Sequence, residues 1–221
     1  MAKLKAILFD LDGTLIDSEF FHFECWNEIL IESDVQLTYE EWLKEYAGIP
    51  LDVNAKNIIK KYGIITPLLE IIERRQSLTL KRFEKVEIPL MHYVIEMLDY
   101  LKNRDLLLAL VTGSPRQDVE AIFAKNGLDK YFEVMVTGTD VVKNKPNPEC
   151  YELCLNQLGV KKEECLVFED TVNGIKSAKA AGLMCFAIQK HKQEHEKLML
   201  ADQVFLNFEL AEHYIIANHI L

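Results

Sequence analysis

The chain has 221 residues, 49% of them hydrophobic, and a formal net charge of -10. That apolar content suffices for one full core with a small second lobe. The negative balance argues against nucleic acid or an anionic membrane as the main partner, so any phosphate site must be positive only locally. No apolar run is long enough to span a bilayer, the N-terminal stretch lacks the pattern of a secretory leader, and the five cysteines include no C-x-x-C pair. A soluble, cytoplasmic protein in a reducing compartment is the expectation.

Residues 6–10 (AILFD) form a short apolar run that predicts a buried strand. Residues 17–85 then carry four helical patterns, EFFHFECWNEILIES, TYEEWLKEYAG, DVNAKNIIKKYG and LLEIIERRQSLTLKRFEK, and no convincing strand. Residues 106–112 (LLLALVT) predict a second strand, followed by a helix over 115–126 that stops at Gly127. A strand over 134–138 precedes a helix over 148–159, with Pro148 at its start and Gly159 at its end. On that helix Cys150 and Cys154 share a face; no nearby His completes a metal set, so the pair reads as packing. A strand over 165–170, a helix over 173–182, a strand over 184–189 and an edge strand over 203–208 complete the pattern.

Continuously apolar strands alternating with helices predict a parallel sheet covered on both faces. The expected fold is therefore a doubly wound, Rossmann-like α/β core of residues 1–16 and 86–221. A small all-α domain of residues 17–85 is inserted after the first strand, with its two connections as hinge candidates.

The first strand runs into Asp10 and Asp12, two acids where burial is greatest. In an extended chain they would point the same way, about 6.6 Å apart. Ionised, they would repel by roughly 2.5 kcal/mol at an effective dielectric of about 20. A cation between them, or a proton on one, relieves that repulsion. Gly13 lets the backbone turn sharply beside a ligand, and open α/β sheets bind ligands at the carboxyl ends of their strands. A solvated acidic turn is the plain alternative.

Three companions lie further along. LVTGS ends the second strand with Thr112, Gly113 and Ser114, either a cradle for an anion at a helix N-terminus or an ordinary N-cap by Ser114 with Pro115 behind it. KNKPNP puts Lys145 before a Pro-x-Pro loop; taken alone it reads most simply as a surface lysine. LVFEDTVNG ends the fourth predicted strand with Glu169 and Asp170. Parallel strands bring these ends to one edge: carboxylates for a divalent cation, a nucleophile, and a lysine with a hydroxyl for an anion. That set suits phosphoryl transfer.

D-x-D-G-T at 10–14, T-G-S at 112–114, K-P-x-P at 145–148 and E-D-T-x-x-G at 169–174 occur in that order. With these motifs the chain resembles the haloacid dehalogenase superfamily of phosphohydrolases, over nearly its whole length, in the branch with a helical cap. The resemblance implies a Mg²⁺-dependent phosphatase of a small phosphorylated metabolite, with a sugar phosphate as the expected substrate and a monomer as the default assembly. It implies Asp10 as nucleophile and Asp12 as general acid, then base. Mg²⁺ would be held by the Asp10 side chain, the Asp12 backbone carbonyl and Asp170, with Glu169 a ligand or a supporting partner. Thr112, Gly113 and Lys145 would hold the phosphoryl group, Thr14 would support the first loop, and Thr171 and Asn173 would shape the turn. Members that cleave carbon–halogen bonds or phosphonates lack the second acid, so Asp12 favours phosphate esters.

The resemblance also implies that the cap closes over substrate and sets its choice. DSEFFHFECW looks like the first cap helix of β-phosphoglucomutase-like members, in which His22 would face substrate; a partly buried histidine beside Phe23 and Trp26 is the alternative. Those members carry Lys before, and Arg three after, the glycine of the cap loop. Here Ala47 and Leu51 flank Gly48 instead, which weighs against a phosphosugar mutase, the competing reading. A non-catalytic phosphate-binding module would have no use for Asp12. Arg116 could supply a cation from the core side, although an exposed helix arginine is the simpler reading. Glu40, Glu41 and Glu45 read as solvated faces, and Phe20, Phe21 and Phe23 as cap core.

Overall fold

The computed structural model describes residues 3–221. The chain forms two compact units, Met1–Asp17 with Pro89–Leu221, and Ser18–Ile88. The joints lie slightly beyond those expected at 16–17 and 85–86, because the two connecting segments pair with each other within the core unit. Asp17 N–H donates to Pro89 O at 2.8 Å, and Ile16 bridges Leu90.

β1 (Ala6–Phe9) is buried throughout. After it come the helices of the second unit, α1 (Glu19–Leu30), α2 (Tyr39–Glu45), α3 (Leu51–Tyr62) and α4 (Leu68–Phe83). The core resumes with α5 (Val94–Lys102), β2 (Leu107–Val111), α6 (Arg116–Asn126), β3 (Val134–Val136) and α7 (Glu149–Leu158). β4 (Cys165–Glu169), α8 (Val172–Ala180), β5 (Met184–Ile188), β6 (Gln203–Phe205) and α9 (Phe208–Ala217) follow.

Among the described residues six strands make one sheet in the order β3-β2-β1-β4-β5-β6, every pairing parallel. β1 lies inside the sheet, and β6 takes the edge predicted for it. Successive side chains alternate between faces. Ala6 and Leu8 join a core with Tyr151, Cys154 and Ile175 under α7 and α8. Phe9 packs on the other face against Phe132, Phe168 and Phe208, and Phe123 of α6 extends that group through Phe132. Phe9 is fully buried, and truncating such a ring costs about 3–5 kcal/mol. All five cysteines are buried and unbridged, and Cys150 and Cys154 pack in the α7 face of the core as expected.

The chain leaves β1 toward β2 and β3, then returns to β4 on β1's other side. Strand order reverses between β1 and its neighbours, and doubly wound sheets open a crevice at the carboxyl ends where this happens. Phe9 is in register with Leu110 and with Phe168. Asp10, Thr112 and Glu169 therefore emerge at one edge.

The unit Ser18–Ile88 has its own core of Trp26, Leu30, Leu37, Trp42, Tyr46, Ala55, Ile58 and Ile71. Thr38 caps α2 by accepting the Glu41 N–H at 3.1 Å. Asn54, buried, donates to Tyr46 O at 2.9 Å and Ile49 O at 3.1 Å and so holds the loop around Gly48. Glu41 and Glu45 are not merely solvated; both accept from Lys61 at 2.7 Å and tie α2 to α3. Phe21 is core as expected, but Phe20 is 52% exposed.

Candidate active site

Asp10 sits one residue past β1, and its N–H still donates to Phe168 O at 3.0 Å. Beyond it the chain folds into a tight loop, with Leu15 N–H donating to Leu11 O and Gly13 N–H to Ile16 O, each at 2.8 Å. Gly13 has φ +77°, and a Cβ there would overlap the Asp170 carboxylate. Only glycine meets both conditions. β1 ends at Phe9, so Asp10 and Asp12 lie just beyond it, and the two carboxylates take different partners, Lys145 and Ser114.

The Asp10 Oδ1 accepts from Lys145 Nζ at 2.6 Å. Lys145 also donates to Glu169 Oε1 at 2.6 Å and to Val111 O at 2.8 Å. Its side chain is only 10% exposed, so the surface-lysine reading fails. Three acceptors, at the ends of β1, β2 and β4, hold one ammonium and draw its loop, residues 143–148, onto the sheet edge. Burial alone would lower the Lys145 pKa, but the charges of Asp10 and Glu169 outweigh it and hold the ammonium protonated well above its usual range. Burial pushes the Asp10 carboxyl up to about 8, Lys145 opposes that shift, and the charge of Glu169 adds to it.

Glu169 is the last residue of β4 and is buried. Its Oε1 accepts from Tyr151 OH at 2.7 Å as well as from Lys145, and its Oε2 accepts from Asp170 N–H at 3.2 Å. Thr171 caps α8 by accepting the Gly174 N–H at 3.1 Å. A Cβ at Gly174 would collide with the Glu169 carboxylate, so glycine makes the space for it. Carboxylate oxygens of Asp10, Glu169 and Asp170 all lie within 4.8 Å of one another. Hard oxygen donors at that spacing fit a divalent cation such as Mg²⁺. Both Glu169 oxygens already accept protein donors, which favours Asp10 and Asp170 as ligands and Glu169 as their support.

Thr112 is buried and continues the β2–β3 ladder, its N–H donating to Val136 O at 3.0 Å; Gly113 beside it is exposed. Ser114 does not cap α6. Pro115 holds that position without a side-chain bond, and Ser114 Oγ instead donates to Asp12 Oδ2 at 2.5 Å.

The remaining candidates have partners of their own. Arg116 donates to Asp140 Oδ2 at 2.7 Å and Met135 O at 3.1 Å, which joins α6 to the end of β3. His22 and Gly48 belong to the helical unit. His22 is half-buried, its Nδ1 lies 3.1 Å from Arg75, and its ring meets Phe21 and Phe83 edge-on. Gly48 lies exposed in the loop that Asn54 holds. Sequence reasoning missed Tyr151, Arg75 and the use of Ser114. Tyr151 and Arg75 sit at helical core positions that resemble packing, and a through-space bond between residues 102 apart leaves no local pattern.

The sequence model of the haloacid dehalogenase-like hydrolases matches residues 7–188, which include all four motifs. The chain belongs to this family. Among relatives of this haloacid dehalogenase-like hydrolase, a phosphorylated carbohydrates phosphatase of Thermotoga maritima is 33% identical over 81% of the chain and 82% of its own length. A fructose-1-phosphate phosphatase of Escherichia coli is 31% identical over 82% of the chain and 94% of its own length. A crystal structure of the protein CbbY from Rhodobacter sphaeroides, in complex with xylulose-(1,5)bisphosphate, matches with a TM-score of 0.81. It is 26% identical and covers 93% of this chain and 95% of its own.

Proposed function

We propose that this haloacid dehalogenase-like hydrolase is a Mg²⁺-dependent phosphoric monoester hydrolase acting on a small phosphorylated metabolite, with a sugar phosphate as the preferred class. One observation carries the reading: the Lys145 ammonium lies 2.6 Å from both Asp10 and Glu169, beside an acidic cluster completed by Asp170. That arrangement gives one nucleophilic carboxylate, a cation to offset an incoming phosphate, and oxygen ligands for a metal. The relatives named for phosphorylated carbohydrates and fructose 1-phosphate support the substrate class.

In this reading Asp10 and Asp170, with the Asp12 backbone carbonyl, hold Mg²⁺, which when bound screens the carboxylates from the phosphate and draws charge from its oxygens. Lys145, the Thr112 hydroxyl and the Gly113 N–H orient the phosphoryl group and stabilise the charge that builds on its oxygens. An Asp10 oxygen attacks phosphorus as the bond to the alcohol oxygen breaks, and the Asp12 proton passes to that oxygen. Asp12 then takes a proton from water as the water attacks the phosphoaspartate. Inorganic phosphate leaves and both acids return to their starting state. Ala47 and Leu51 offer no cation to a second phosphate, which favours hydrolysis over transfer within a bisphosphate.

A hydrolysis screen across sugar phosphates, a sugar bisphosphate, nucleotides, phosphoglycolate and an aryl phosphate, with and without Mg²⁺, tests this. The expected result is turnover of sugar monophosphates that EDTA suppresses and Mg²⁺ restores. Hydrolysis that survives complete metal removal would defeat the proposal.

A further inference from the structure

The Ser114–Asp12 bond joins the loops that follow two neighbouring strands, β2 and β1. Ser114 follows β2 and Asp12 follows β1, yet the hydroxyl lies 2.5 Å from Asp12 Oδ2. The serine is itself firmly placed. Its N–H donates to Thr112 Oγ1 at 3.1 Å, and its carbonyl accepts the Gly138 N–H at 2.9 Å. It serves no helix cap, since Pro115 occupies the N-cap of α6. A rigid donor therefore meets one oxygen of a half-buried carboxyl on a glycine-containing loop.

We infer that Ser114 is a positioning residue for Asp12, fixing the orientation from which that acid protonates the leaving alcohol. The inference rests on the proposed role of Asp12 as general acid. In this inference Ser114 occupies Oδ2 and the acid form carries its transferable proton on Oδ1. As the Asp10–phosphorus bond forms and the phosphorus–alcohol bond breaks, that proton moves to the alcohol oxygen. Ser114 exchanges no proton and changes no bond. Its contribution is orientation, and small misplacements of a catalytic group are costly.

Leaving-group dependence separates this role from a structural one. An alkyl phosphate expels a basic alkoxide and needs the acid, whereas p-nitrophenyl phosphate expels a stable phenolate and needs it far less. kcat/KM covers only the steps up to release of the alcohol, so later hydrolysis of the phosphoaspartate does not enter. With Mg²⁺ present, Ser114→Ala is expected to lower the ratio of kcat/KM for a sugar phosphate to kcat/KM for p-nitrophenyl phosphate. The expected drop is about tenfold, part of the roughly 10²- to 10⁴-fold that general acid–base catalysis supplies. Ser114→Thr keeps the hydroxyl and should restore the ratio, and Asp12→Asn should lower it further. Equal losses on both esters in Ser114→Ala, or no recovery in Ser114→Thr, would overturn the inference while a selective loss in Asp12→Asn left the acid's role standing. An unselective Asp12→Asn would remove that role, and the inference with it.

Discussion

The two units bury polar side chains to different ends. In the core, Asp10, Thr112, Glu169 and Asp170 are buried at the carboxyl edge of one sheet, and Lys145 reaches Asp10 across 135 residues of sequence. In the helical unit, Asn54, Arg75 and Thr79 are equally buried, but they bond to their own surroundings. Asn54 holds the Tyr46 and Ile49 carbonyls, Arg75 the His22 carbonyl at 3.2 Å, and Thr79 the Arg75 carbonyl at 2.7 Å. A parallel sheet concentrates distant strand ends at one place, so the charges buried there converge. A helical bundle distributes its polar groups along helices, where they satisfy backbone and fix loops. Buried polarity is thus a functional signal only where the topology makes it converge.

Substitutions in the two units should break or sharpen that contrast. Lys145→Ala has the largest expected effect. In the proposed reading it removes the charge that faces the phosphoryl group, with a loss of about 10²- to 10³-fold in kcat. It also leaves Asp10 and Glu169 buried without their shared cation, a destabilisation of about 3–5 kcal/mol that denaturant titration would read. Near-normal turnover in this variant would dissolve the convergence argument.

Metal affinity comes next. In the metal-free protein burial raises the Asp10 pKa to about 8, so below that pH a cation must displace a proton. Mg²⁺ affinity, followed by calorimetry, should fall roughly tenfold per pH unit below 8 and level off above it. A flat profile between pH 6 and 9 would show that Asp10 does not ligate through that carboxyl.

Asn54→Ala addresses the other unit. It strands two carbonyls and should loosen that unit by about 2 kcal/mol. Hydrogen exchange should show residues 46–54 losing protection while β1 and β4 keep theirs. Equal loss in both units would mean that the helical unit's buried polarity is not local. Tyr151→Phe should act least, removing one donor from Glu169 at a stability cost of about 1.5 kcal/mol with a few-fold fall in kcat. An unchanged melting temperature would show that Lys145 and the backbone alone hold Glu169.

The same contrast explains what could be read in advance. β1, β2 and β4 are continuously apolar and end in polar residues, so both the sheet and the meeting of Asp10, Thr112 and Glu169 followed from pattern and topology. Lys145 read as a surface residue because its burial depends on acceptors contributed by three other segments. Tyr151 was hidden by its position, since a tyrosine on the inner face of α7 differs from a packing residue only in where its hydroxyl ends. The pairing of His22 with Arg75 joins residues 53 apart and carries no periodicity. A side chain proposed to act through a partner's position, such as Ser114, becomes visible only when both loops are placed.

Acid-quenched turnover with Mg²⁺, followed by mass spectrometric mapping of the phosphorylated residue, tests the central claim most directly. A phosphoryl group on Asp10, labile to hydroxylamine and lost in Asp10→Asn and in EDTA, is the predicted result. A phosphoryl group trapped on any other residue, or full turnover by Asp10→Asn, would contradict it.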